Sequence, residues 1–374
     1  MSPVEVWREP VRGSYPDPAK LALPGRDRLA GWIRDGGPLP PLTYLTGSRP
    51  TAIGGGTAEA EMPASEWLVN STGLISGGTL AILADVAFGC AVETRIPAAT
   101  PYTTAELSLT FLRPARPGAT LTAHGQAIHV GRSVGLSEAF LLDPRGESLI
   151  AHGTSRLAIL PPLDELPATR GAATSDGDPG ESEPRPYERP APAGAVLGQE
   201  VWDELPGFEV MRRQMAGELP PPPIYQLTGL EQIEVGDGEA AMRLPATEWL
   251  NSPVGRLQGG ALAMLADMTM MNAALTTAAA GMAIAGLDLK VNYLRPAVAD
   301  GRDLVARAAV VHSGRTLAVC QARIENADGK AVALATGSAM RLPDRPASLG
   351  AEVELTSDAS PPDRPLDGRG GGGR

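Results

Sequence analysis

Two stretches of the chain are almost wholly apolar for about four helical turns, residues 80–92 and 262–275, and each carries a single charge, Asp85 in the first and Asp267 in the second. Each is opened by a glycine pair, Gly77-Gly78 and Gly259-Gly260. Ala, Leu and Met dominate both runs, so the pattern predicts helices over 79–94 and 261–277. A shorter helical pattern covers 27–35, with Leu29, Trp32 and Ile33 on one face. Between these, apolar and polar residues alternate. Ala105, Leu107, Leu109 and Phe111 fall on one side of a predicted strand, with Thr104, Glu106, Ser108 and Thr110 on the other. Four extended segments follow the first helix, 102–113, 119–130, 133–143 and 149–160, separated by Pro, Gly and Asp turn residues. Residues 42–62 read as strand, turn and strand.

The pattern is written twice. Leu45-Thr46-Gly47, Glu66-Trp67-Leu68, Gly77, Asp85 and Leu112-Arg113-Pro114 all recur 182 residues later. The turn Gly131-Arg132 returns as Gly314-Arg315 after a slip of one residue. The expected layout is an extension with a short helix (1–40), a first domain (41–161), a linker rich in Pro, Gly and acid (162–200), a second domain with its own leading helix (201–345), and a disordered tail (346–374). Nothing in 165–195 offers a core to bury, so that segment is expected to be mobile and dispensable.

Composition narrows the function. Lys and Arg total 32 against 43 Asp and Glu, a net charge of −11, which argues against nucleic acid or an anionic membrane as partner. The start has no basic region followed by an apolar run, and no uncharged stretch is long enough to span a bilayer, so a cytoplasmic protein is expected. Cys90 and Cys320 lie in apolar patterns, and the four histidines are scattered, so no metal site is expected.

The remaining chemistry lies in the repeated run. A helix that starts with glycines leaves its first amides unpaired, and such amides polarise a carbonyl or hold an anion. Eight residues on, roughly 12 Å along the axis, sits a carboxylate among apolar neighbours, poorly solvated and therefore suited to act as nucleophile or general base.

With those marks in order, twice, the chain resembles the hotdog-fold thioesterases of the phenylacetate-degradation type, in tandem over about 42–161 and 224–342. The resemblance rests on the Gly-Gly helix start, the Asp seven residues after the second Gly, the strand ending Phe/Tyr-Leu-Arg-Pro, and the later Gly-Arg turn. It implies an α+β architecture, two hotdog domains that each wrap an antiparallel sheet round a central helix, fused as an intrachain pseudo-dimer. It also implies acyl-CoA thioesterase activity on acyl or aryl thioesters, with coenzyme A as part of the substrate and no separate cofactor. A homodimer of the whole chain is a further implied assembly.

Residue by residue, the resemblance assigns carbonyl-polarising amides to Gly77 and Gly259, and substrate binding to Gly78 and Gly260. Asp267 is to serve the Gly77 loop and Asp85 the Gly259 loop, across the seam. Asn70 and Asn251 match an asparagine that orients thioester or water. Arg113, Arg295, Arg132 and Arg315 are candidates for coenzyme A phosphates. The usual histidine before Gly-Gly is replaced by Ser76 in one copy and Gln258 in the other. Gln258 retains a hydrogen bond for a carbonyl; Ser76 is shorter, so the first loop is either a weakened site or one adapted to another acyl group. Three functions are compatible with the fold: a thioesterase, a non-hydrolytic acyl-CoA-binding protein, and a hydratase. The last is disfavoured, since no loop carries an Asp and His pair at the hydratase spacing. Retention of both aspartates favours hydrolysis.

Overall fold

The computed structural model describes residues 5–143, 148–165, 183–343 and 345–348. Gly25–Arg34 (α1) and Pro41–Thr46 (α2) precede Arg49–Ile53 (β1), Thr57–Pro63 (β2) and the central helix Gly77–Glu93 (α3). Tyr102–Phe111 (β3), Thr120–Val130 (β4), Val134–Leu142 (β5) and Leu149–Ile159 (β6) complete the first half. The second half repeats this with Gln199–Glu204 (α4), Gly207–Met215 (α5), Pro223–Thr228 (α6), Glu231–Gly236 (β7), Glu239–Pro245 (β8) and Gly259–Thr276 (α7). Met282–Tyr293 (β9), Asp303–Ser313 (β10), Leu317–Glu325 (β11) and Ala331–Pro343 (β12) end it.

All twelve strands join one antiparallel sheet, ordered β1-β2-β4-β5-β6-β3-β9-β12-β11-β10-β8-β7. The halves meet at β3 and β9, where Leu107 pairs with Val291 and Leu109 with Leu289. Both central helices lie inside the wrap of that sheet and against each other, which is why neither has a polar face. Their buried side chains form one core across both halves, with Trp67, Phe88, Leu107, Trp249 and Leu289 almost inaccessible to solvent. The expected side-by-side helices and continuous sheet are therefore present.

Residues 42–46 depart from the strand expected of them. Pro41 fixes the backbone at the first helical position of α2, and Gly47, at φ 78°, ends it in the left-handed conformation. The strand β3 departs more consequentially. Its register with β6 slips between Thr104 and Glu106, a bulge at Ala105. The bulge reverses the alternation before it, so Thr104 turns inward instead of joining Glu106 and Ser108 on the outer face.

Two arms cross between the halves. The segment from Val6 to Tyr15 precedes the first repeat yet docks on the second: Trp7 packs on Gly229, and Trp249 Nε1 donates to Glu9 O at 3.2 Å. Its counterpart, displaced by 180 residues, docks on the first repeat: Tyr187 packs on Gly47, and Trp67 Nε1 donates to Arg189 O at 3.0 Å. Ser65 Oγ donates to Tyr187 O at 2.7 Å, Leu197 N to Ser71 O at 2.9 Å, and Arg189 pairs with Glu9 at 2.7 Å. The segment expected to be mobile is thus packed from residue 183 onward, because the repeat extends into it. Its earlier part, 166–182, lies outside the described residues, as does the tail beyond 348. The first residues of that expected tail are also held: Ser348 is buried and its amide donates to Gln199 Oε1 at 2.9 Å.

Candidate active site

Asp85 leaves α3 two turns in and meets the start of the other helix. Its Oδ2 accepts from Gly260 N at 3.1 Å, and its Oδ1 accepts from Thr104 Oγ1 at 2.9 Å. A Cβ on Gly259 would come within 3.2 Å of Asp85 Oδ2 and 3.3 Å of the Tyr293 hydroxyl, so both polar groups front the bare first residue of α7. That hydroxyl donates to Gly259 O at 2.8 Å. Gln258 Nε2 makes a long bond to Ile82 O, 3.4 Å, while its Oε1 is buried with no donor. Asn251 stands in the loop ahead of α7, bridged to Leu257; its Nδ2 donates to the Tyr15 hydroxyl at 2.8 Å, and its Oδ1 is likewise buried without a donor.

The second centre has the same skeleton and few of the polar groups. Asp267 Oδ2 accepts from Gly78 N at 2.7 Å, and Oδ1 has no partner. The position of Thr104 is occupied by Gly286, that of Tyr293 by Phe111, that of Asn251 by Val69, and that of Gln258 by Ser76. The Phe111 ring lies against Gly77, where a Cβ would meet Cζ at 2.2 Å. Ser76 is engaged in capping α3, accepting from Thr79 N at 3.2 Å and sharing a hydrogen bond with the Thr79 hydroxyl at 3.0 Å. Exposure follows the same division: Asp85 keeps 7% of its surface accessible against 1% for Asp267, so the first is the more reachable from solvent.

Electrostatics separates the two carboxyls further. Burial raises the Asp85 carboxyl above its ordinary value, and the hydrogen bonds from Thr104 and Gly260, with the nearby Gly259 amide, oppose it. Burial pushes Asp267 up to about 6, with the Gly78 amide as the opposing bond.

The crossed pairing expected from the sequence is the geometry found, with one refinement. The amide that meets each carboxylate belongs to the second glycine, Gly260 or Gly78, while the first faces the site. The matching of Asn70 with Asn251 does not hold. Asn251 corresponds to Val69, and Asn70 corresponds to Ser252. Side chains one residue apart in such an extended segment point to opposite sides. Asn70 accordingly folds its own loop, its Oδ1 accepting from Thr72 N at 2.9 Å, Thr72 Oγ1 at 2.7 Å and Leu74 N at 3.3 Å. Arg113, Arg132, Arg295 and Arg315 are all exposed; Arg113 Nη1 donates to Leu149 O, and among the described residues none of the four is bonded to either centre. A surface cavity of about 750 Å³ lined by Arg307, Gln321, Leu334 and Thr336 touches neither carboxylate.

Thr104, Tyr293 and Tyr15 were not singled out from the sequence. Tyr293 could have been found at the strand end that carries Leu294-Arg295-Pro296, but the bulge hides Thr104 and the crossed arm hides Tyr15.

The thioesterase-superfamily family model matches residues 72–148 and 255–333, the first holding Gly77-Gly78 and Asp85 and the second Gly259-Gly260 and Asp267. The chain has the double-hotdog fold, and both of these segments are similar to the thioesterase superfamily. Among solved structures, the TesB protein of Mycobacterium avium subspecies paratuberculosis aligns at 14% identity over 81% of this chain and 98% of its own, with a TM-score of 0.50. This likeness concerns the fold. The acyl-CoA thioesterase II TesB2 of Mycobacterium marinum aligns at 15% identity over 80% of this chain and 96% of its own, TM-score 0.48. The PaaI protein of the E. coli phenylacetic acid degradation operon aligns at 26% identity over 36% of this chain and 94% of its own, TM-score 0.33. No curated protein sequence matches the double hotdog. Among the described residues no helix is long and apolar enough to cross a membrane, and no group of three His, Cys, Asp or Glu is placed to hold a metal ion.

Proposed function

We propose that this double hotdog hydrolyses an acyl-CoA or aryl-CoA thioester at the Asp85 centre, without a cofactor of its own. The observation that carries this reading is the meeting of a buried carboxylate with the N-terminal amides of the opposing helix, Asp85 Oδ2 on Gly260 N. Hydrolysis requires a donor for the negative charge that develops on the thioester oxygen, and the amide of Gly259, the bare helix start that faces the site, supplies one. It also requires a base for water. Asp85 has a hydrogen bond on each oxygen, from Thr104 and Gly260, which favours general-base over nucleophilic use. Water adds its oxygen to the thioester carbon and gives a proton to Asp85; the carbon–sulfur bond then breaks, and the proton passes to the departing thiolate. The products are the carboxylic acid and the free thiol of coenzyme A. The buried, donor-less oxygens of Gln258 and Asn251 can accept from the attacking water or from the substrate's amides.

The Asp267 centre, with Val69, Ser76, Gly286 and Phe111 in place of those groups, holds acyl-CoA without hydrolysis or serves only to join the helices. Release of free thiol from short, medium, long and aryl CoA thioesters tests the whole reading. Asp85→Asn is expected to lose at least about 100-fold in rate, because a base is removed with little change of shape. Asp267→Asn is expected to keep most of it. Wild-type protein that binds thioesters but releases no thiol would transfer the reading to a binding protein.

A further inference from the structure

Resting on the reading above, the geometry points to Tyr15 as a positioning residue of the Asp85 centre, delivered to it by the arm of the opposite half. The arm is held along its length. Val6 is wholly buried, Trp7 packs on Gly229, and Glu9 O receives the indole N–H of Trp249. It then turns at Gly13, whose φ of 117° and closeness to Leu39 O leave no room for a side chain, and Ser14 N donates to Leu39 O at 2.8 Å. That turn sets the Tyr15 hydroxyl 2.8 Å from Asn251 Nδ2.

The consequence lies at the other end of the amide. An asparagine that gives its N–H to Tyr15 must present its oxygen elsewhere, and Asn251 Oδ1 is buried, 3% exposed for the residue, with no donor. A buried acceptor without a protein donor is rare unless a bound water or a ligand completes it. It sits beside Gln258, whose N–H donates to Leu250 O and whose Oε1 is orphaned in the same way. The missing partner is an N–H or O–H donor, either an amide of the pantetheine arm or the attacking water. The other half has no such device. The arm there reads Ala195-Val196-Leu197 after Gly194, without a hydroxyl, and the place of Asn251 is taken by Val69. The hydroxyl and the asparagine occur together in one half and are absent together from the other.

Tyr15→Phe removes only the hydroxyl. Its kcat/KM is expected to fall about tenfold, with the melting temperature unchanged, and the loss should not add to that of Asn251→Ala, since the two act as a unit. Titration with a non-hydrolysable thioether of coenzyme A separates the two donors. If the donor is a pantetheine amide, the dissociation constant rises by a similar factor. If it is water, the constant stays and kcat falls. A wild type that binds the thioether yet hydrolyses nothing refutes the hydrolase reading but leaves Tyr15 testable, because a weaker thioether complex in Tyr15→Phe then still supports it. Wild-type rates and wild-type thioether affinity in Tyr15→Phe overturn it, as does a fall in melting temperature with losses that add to those of Asn251→Ala, the signature of an arm anchor.

Discussion

A carboxyl with one hydrogen bond and an apolar surround is a liability when charged, and Asp267 is in that position. Folded, it keeps its proton up to about pH 6; in the unfolded chain an aspartate releases it near 3.9. The folded state therefore binds the proton more tightly. The stability this group contributes is complete below about pH 4 and is lost as pH rises through 6. The gap between 3.9 and about 6 corresponds to about 3 kcal/mol at most. Asp267→Asn, which cannot ionise, is expected to be more stable than wild type by about 1–3 kcal/mol at pH 8, less than the ceiling because its new N–H₂ lacks a partner. The difference should close as pH falls from 6 to 4, measured as paired thermal or urea unfolding across that range. A constant offset at every pH would mean that Asp267 is ionised throughout. Single residues were also where sequence reading was least secure. Asp85, Asp267, Gln258 and the glycine pairs could be found by spacing alone, because a helix turns the same angle at every residue. Thr104 could not, because one bulged residue reverses which way every earlier side chain of its strand points. Asn70 was matched to Asn251 although it lies one place from the corresponding Val69, and one place in an extended loop is the difference between facing the site and facing the loop.

Between elements, the decisive contact is the crossing of α3 and α7 at their first turns. A Cβ on Gly260 would lie 2.5 Å from Ile82 Cα and 2.7 Å from Ala81 O; one on Gly78 would lie 2.7 Å from Met264 Cα. These neighbours are backbone and cannot rotate aside, so the second glycine of each pair is what lets the helices approach. The first glycine differs, since a Cβ on Gly259 meets side-chain atoms of Asp85 and Tyr293 at 3.2–3.4 Å. Gly260→Ala is accordingly expected to cost about 3 kcal/mol, the scale of overpacking in a core. Gly259→Ala should cost under about 1 kcal/mol but depress thioester hydrolysis, because the added methyl faces the site. Urea midpoints with thiol-release rates on both variants check this; equal destabilisation by the two would contradict it. The long helices and the strands were legible because apolar periodicity over many residues averages out local exceptions. Short α2 was not: Leu42-Thr43-Tyr44-Leu45 reads as a strand, and only the flanking Pro41 and Gly47 fix it as a single helical turn.

Across the whole molecule, neither half is complete alone. The sheet runs through the β3–β9 seam, the core is common, each carboxylate rests on the other half's helix, and each arm caps the other half's tryptophan. The tandem could be read from the 182-residue displacement, whereas the exchange of arms could not, since sequence order assigns each arm to the domain that follows it. Replacing residues 183–197 with Gly and Ser of equal length is expected to lower stability by about 2–4 kcal/mol, as Tyr187, Leu197 and the acceptor of Trp67 Nε1 are lost together. A melting temperature within one degree of wild type would show that this arm is dispensable.

The exchange of arms also sets an order of assembly. The N-terminal arm is the first described segment to leave the ribosome, but its dock is not finished until Trp249 has been made, about 240 residues later. At about 5–20 residues per second the arm waits roughly 10–50 s for its partner. Over most of that interval α3 has no α7 to lie against, and β3 is an open edge in place of a seam. Tyr15 reaches Asn251 only when both ends of the molecule exist. A nascent or truncated chain would therefore hold Asp85 without the helix start, tyrosine and amide that surround it in the finished protein, and the hydrolysis proposed for that centre would await synthesis of the second half.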